Sequence, residues 1–136
     1  MKVAVLVSGN GSNLQALIDD GIAIDVVVSN TAGVKALERA AAAGIATAVF
    51  AQADYAGREE RDAAMAAFLQ ERGIGLVVLA GYMQLLSIGF VRAFSGRIMN
   101  VHPSLLPAFP GTHAPTDALA HGVRWTGATV HLVTEE

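Results

Sequence analysis

The 136 residues carry 53% hydrophobic and 15% charged side chains, which excludes a disordered chain and matches the size of one domain, 1–136. A net charge of −3 argues against a basic nucleic-acid surface, and the lack of cysteine removes disulfides, thiolate zinc sites and cysteine nucleophiles. Mean hydropathy is +0.46 without an apolar run of membrane-spanning length, and no leader precedes Met1–Val5, so the expectation is a cytoplasmic protein with a dense core and no membrane partner.

Val3–Val7 is a short apolar run that predicts a strand, ending in Ser8-Gly9-Asn10-Gly11. Ser12 stands where an N-cap belongs, and Leu14, Leu17 and Ile18 follow at helical spacing up to Gly21. Ile22–Val28 predicts a second strand, closed by Ser29-Asn30, and Val34, Leu37, Ala40 and Ala41 a helix ending at Gly44. A weaker strand follows at Thr47–Phe50. Arg58 to Arg72 is a strong helix with Met65, Phe68 and Leu69 as its apolar stripe, stopped by Gly73. Ile74–Ala80 predicts a strand, Ile88–Phe94 a short helix and Arg97–Val101 a strand. Beyond these come a proline-rich loop at Pro103–Pro110, helical turns at Thr116–His121 and a last strand at Gly127–Thr134. Alternating strands and helices, with strands apolar on both faces, predict an α/β fold: a mostly parallel sheet between two helical layers. Ligands then bind beyond the carboxyl ends of the strands, at Ser8–Asn13, Asn30, Gly81–Ser87, Asn100–Pro107 and Thr134–Glu136.

Two glycines in Ser8–Asn13 allow a tight turn and a close ligand approach, and the following helix aims its free N–H groups at the same point. That is a phosphate cradle that needs no lysine. A dinucleotide site fits poorly: the third glycine of its fingerprint falls on Leu14, and Asn30 replaces the ribose-binding acid. Asn100 and His102 are two apart on a predicted strand and so share a face, joining an amide donor to a group that titrates near neutrality. The pair suits chemistry in which negative charge develops on an oxygen. His131 alternates with Thr129 and Val133 and suits a supporting, hydrogen-bonded role. His102, His113, His121 and His131 match no metal spacing, so no metal is expected, and Ser104 lacks the surroundings of a hydrolase nucleophile. Tyr82–Leu86 places large apolar residues after a strand, as an anchor for the next helix or a wall for a flat ligand.

Ser8-Gly9-Asn10-Gly11-Ser12-Asn13-Leu14-Gln15, Leu79-Ala80-Gly81-Tyr82-Met83 and Asn100-Val101-His102-Pro103-Ser104-Leu105-Leu106-Pro107 together resemble the folate-dependent phosphoribosylglycinamide formyltransferases, in order along the whole chain. The resemblance implies a Rossmann-like three-layer formyltransferase fold. It also implies transfer of the formyl group of 10-formyltetrahydrofolate to the amine of glycinamide ribonucleotide. By the same resemblance Gly11, Ser12 and Asn13 hold the substrate phosphate. Arg58, Met83, Gln84, Leu85, Leu86 and Asn100 meet the folate, His102 and Asn100 are catalytic, and His131 supports them. Gln84 departs from the basic residue often found there. The family's catalytic aspartate, closing strand and C-terminal helices fall beyond Glu136. The expectation is therefore a C-terminally truncated form with weak or no activity, and an apolar face or sheet edge left uncovered. Glu135 and Glu136 are the nearest carboxylates, in the wrong register. The alternatives are a ribonucleotide- or folate-binding fragment without turnover, or a related formyltetrahydrofolate-using enzyme, as monomer or homodimer.

Overall fold

A computed structural model describes residues 1–102 and 129–133. In chain order the elements are β1 (Lys2–Val7), α1 (Ser12–Asp19), β2 (Val26–Ser29), α2 (Lys35–Ala42), β3 (Ala46–Val49), a 3-10 turn (Gln52–Asp54), α3 (Arg58–Glu71), β4 (Ile74–Leu79), α4 (Ile88–Ala93), β5 (Ile98–His102) and β6 (Thr129–Leu132). The sheet order is β3-β2-β1-β4-β5-β6. β1 to β5 pair in parallel and β6 runs antiparallel to β5, with Asn100 opposite His131.

The strands are continuous apolar runs because both faces are covered. Ala4 and Leu6 of β1 join a core with Met65 and Leu69 of α3 and with Phe90 and Phe94, while Val5 and Val7 face Leu14 of α1 and Ala36 and Ala40 of α2. All of these residues are buried to 1% exposure or less, so the three-layer expectation holds. The small side chains of α2 let that helix lie close to the sheet. Gly73 turns the chain out of α3 with φ 74° and delivers it straight into β4.

Beyond shifts of one or two residues at element ends, three features differ from the sequence pattern. β2 begins at Val26, not Ile22, because Asp25 takes Arg72 at 2.8 Å and Ile22 remains 42% exposed. The N-cap of α1 is Gly11, in the left-handed region at φ 79°, and Ser12 is the first helical residue with no capping role. The short turn at Gln52–Asp54 has no periodicity long enough to predict it. Pro103–Pro110, Thr116–His121 and Thr134–Glu136 lie outside the described residues.

On the α1 side, beside β4 and β5, an apolar hollow of about 390 Å³ opens between Leu17, Ile22, Leu76, Val78 and Met99. Among the described residues no helix is long and apolar enough to cross a membrane.

The opposite layer contains a fully buried ion pair, Arg61–Asp62, with Nε to Oδ1 at 2.9 Å. Removing one partner strands the other in the core, so Asp62→Ala is expected to cost about 3–5 kcal/mol, read from the urea unfolding midpoint. A loss under about 1 kcal/mol would mean that the pair is not desolvated as its burial indicates.

Candidate functional site

The chain order reverses between β1 and β4: β2 and β3 are added on one side of β1, β4 and β5 on the other. In an open parallel sheet this reversal separates the loops beyond the two central strands and leaves a crevice. Here a pocket of about 260 Å³ lies at that point, lined by Ser8–Asn13 after β1 and by Ala80, Gly81 and Met83 after β4.

Three sets of contacts hold the first loop. The Ser8 hydroxyl donates to Asn30 Oδ1 at 2.6 Å and accepts the Met83 backbone N–H at 2.8 Å, so one side chain ties the ends of β1, β2 and β4 together. The Gly9 carbonyl accepts the Ala36 N–H at 3.0 Å. Arg39, from α2, donates through Nε to the Asn10 carbonyl at 2.8 Å and through Nη1 to Gln15 Oε1 at 3.2 Å. Gly11 is required twice over: its φ is positive, and a Cβ there would sit 2.7 Å from both Cα and Cβ of buried Ala36. α1 starts from this glycine without a side-chain cap, which leaves its first N–H groups for a ligand. Gly11, Ser12 and Asn13 all line the pocket. Leu14 is buried in the core where a dinucleotide fold needs glycine, and Asn30 is engaged by Ser8, so the structure supplies neither feature of that fingerprint.

The second loop, Gly81–Ser87, is held from behind by α3. Asp62 accepts Arg61 on Oδ1, and its Oδ2 accepts the Ser87 backbone N–H at 2.7 Å. Ser87 in turn caps α4 by accepting the Phe90 N–H at 3.1 Å. Arg61 Nη1 donates to Gln84 Oε1 at 3.3 Å. Among the described residues, Nη2 of Arg61 and the Tyr82 hydroxyl have no hydrogen-bond partner. Burial pushes the Tyr82 phenol up to about 12, against the pull of the Arg61 charge and with a further push from Asp62. Met83 and Leu85 stand 58% and 77% exposed, an apolar lip that the fold does not use for its own core.

Arg58 is the exposed first residue of α3, three positions before Arg61 and so on the same side of the helix. Asn100 is half-buried on β5. Leu79 pairs with it, which puts position 100 on the α3–α4 side of the sheet. His131 lies across from Asn100 on β6. Ser104, His113, His121, Glu135 and Glu136 lie outside the described residues. The sequence pattern places Ser8 at the ligand-binding strand end without a role for its hydroxyl, and misses Arg39, Arg61 and Asp62. The usable signal was in α3, where Arg61 and Asp62 precede Met65 and Ala66 by four residues and so occupy its inward stripe. Among the described residues no three His, Asp or Glu side chains gather as metal ligands would.

Residues 1–136 match the Formyl transferase family. The human trifunctional purine biosynthetic protein adenosine-3 is 48% identical over 99% of the chain, which spans 14% of that protein's length. The phosphoribosylglycinamide formyltransferase of Escherichia coli (strain K12) is 43% identical over the whole chain, which spans 67% of it. The crystal structure of glycinamide ribonucleotide transformylase 1 from Symbiobacterium toebii superposes with a TM-score of 0.96 at 46% identity, covering 100% of this chain and 67% of that one.

Two outcomes test the geometry of the site. Gly11→Ala is expected to destabilise the fold by about 1–3 kcal/mol, through left-handed strain and overpacking on Ala36, and to weaken phosphate-ligand binding in calorimetry. Parental stability and affinity would refute the close approach. Tyr82 holds its proton in the folded state beyond the ordinary value of 10.0, so stability is full below pH 10 and falls as pH rises towards about 12. Tyrosinate absorbance followed with denaturation across that window checks it, and Tyr82→Phe should flatten the fall.

Proposed function

The chain belongs to the formyl transferase family, and from that premise we propose that it transfers the formyl group of 10-formyltetrahydrofolate to the amine of glycinamide ribonucleotide. The observation that carries the reading is that the Ser8–Asn13 loop and the Gly81–Ser87 loop meet at the strand reversal, with the second loop held by α3 and β5 ending on the same edge of the sheet.

In this reading Gly11, Ser12 and Asn13 hold the ribonucleotide phosphate on backbone and side-chain donors at the helix start. Arg58, Met83, Gln84, Leu85, Leu86 and Asn100 receive the folate, the exposed apolar lip of Met83 and Leu85 facing its flat rings. The amine nitrogen attacks the formyl carbon and the carbonyl oxygen takes up negative charge. Asn100 stabilises that charge by donating a hydrogen bond. The bond from the formyl carbon to the folate N10 then breaks, and the proton lost by the amine passes to N10 with His102 as the carrier. His131, across the ladder from Asn100, supports the pair. The reaction needs no metal in this scheme. The cytoplasmic setting and a monomer or homodimer belong to the same proposal.

Formyl transfer to glycinamide ribonucleotide, with binding followed by calorimetry, tests the assignment. His102→Ala is expected to lower kcat by about 10²–10⁴-fold while ribonucleotide affinity is retained. Turnover at the parental rate in that variant would overturn the catalytic role.

A further inference from the structure

We infer that Arg61 is a positioning residue for the formyl-donor pocket: it takes the side-chain carbonyl of Gln84 and thereby turns the Gln84 amide nitrogen outward, as a neutral donor to an acceptor oxygen of the folate. This rests on the reading of the Gly81–Ser87 loop as folate-binding.

A guanidinium carries donors only, so the amide atom that meets Arg61 Nη1 must be the oxygen, and the nitrogen is turned away from it. At 3.3 Å the contact is at the long end for N–H···O, so its effect is to select one flip of the amide more than to bind it tightly. The contacts of the nearby carboxylate go elsewhere: Asp62 Oδ1 accepts from Arg61 and Oδ2 from the Ser87 N–H. Among the described residues Gln84 Nε2 meets no acceptor, and Gln84 is half-buried between the exposed Met83 and Leu85. Arg61 is itself fully buried and its charge is balanced by Asp62, so the donor offered to the ligand at this point is the uncharged amide. The solvent-exposed cation is Arg58, one helical turn earlier on the same side of α3.

Calorimetry of the whole chain with 10-formylfolic acid tests this. Gln84→Glu keeps an oxygen for Arg61 and loses the donor, and Gln84→Met loses both without adding charge. Both are expected to bind about tenfold more weakly with an unchanged unfolding midpoint. Parental affinity in either overturns the inference. Arg61→Lys keeps a positive charge beside Asp62 but not the fork, so Gln84→Glu added to it should cost no more than about threefold further. If Arg61 were merely structural, the two losses would multiply, and that result also overturns the inference. Should Arg61→Lys fail to fold, the two Gln84 variants decide alone. A parental chain that does not bind 10-formylfolic acid overturns the folate reading and this inference with it. Parental binding with unaffected Gln84 variants overturns this inference only.

Discussion

Burial of the central strands on both faces is the constraint from which the rest follows. β1 alternates Ala4 and Leu6 into one core with Val5 and Val7 into the other, and β2 is buried along its whole length. Strands of this kind have no face left for polar side chains, so polar chemistry is confined to their ends. Parallel pairing then places all five carboxyl ends on the same edge, and the reversal between β1 and β4 opens a crevice there. Ser8 closes the logic locally. It is the first polar residue after the β1 core run, and its hydroxyl both donates and accepts, joining three strand ends that would otherwise be free to splay.

The two sides of the crevice are built by different physics. The first loop is held by steric fit and neutral or charge-assisted hydrogen bonds: Gly11 against Ala36, and Arg39 on the Asn10 carbonyl. The second is held by an ion pair taken wholly out of water. Desolvating two charges is costly, and the arrangement is tolerable because both carboxylate oxygens of Asp62 meet a donor. What that pair provides is definition of shape. Through Ser87 it sets the start of α4, and through Gln84 it reaches the part of the loop that opens to ligand.

Strands and helices were legible because their signals are local. Apolar runs bounded by glycine mark β1, β2 and β4, and the stripe of Met65 and Leu69 marks α3. The start of β2 is not legible locally, because Ile22 and Ile24 extend the apolar run while Asp25 is drawn away by Arg72, a residue 47 positions later. Residue preference points to Ser12 as the cap of α1, whereas a glycine with a positive φ takes the position because Ala36 allows nothing larger.

For the site, the residue types at the strand ends can be read directly from chain order: the Gly-Asn-Gly-Ser-Asn turn, the Asn100 and His102 spacing, and the apolar lip around Met83. Those are consequences of chain order and of a two-residue period, so they need no partner to be recognised. Tertiary structure alone decided what holds them. Ser8 with Asn30 and Met83, Arg39 with Asn10, and Arg61 with Gln84 are pairs 22 to 75 residues apart. Each is a hydrogen bond between side chains or loops of ordinary composition, and nothing in the periodicity of either segment encodes its partner. Pairing of β1 with β2 and β4 brings the Ser8 partners within reach, and the packing of α2 and α3 on opposite faces of the same sheet brings in Arg39 and Arg61.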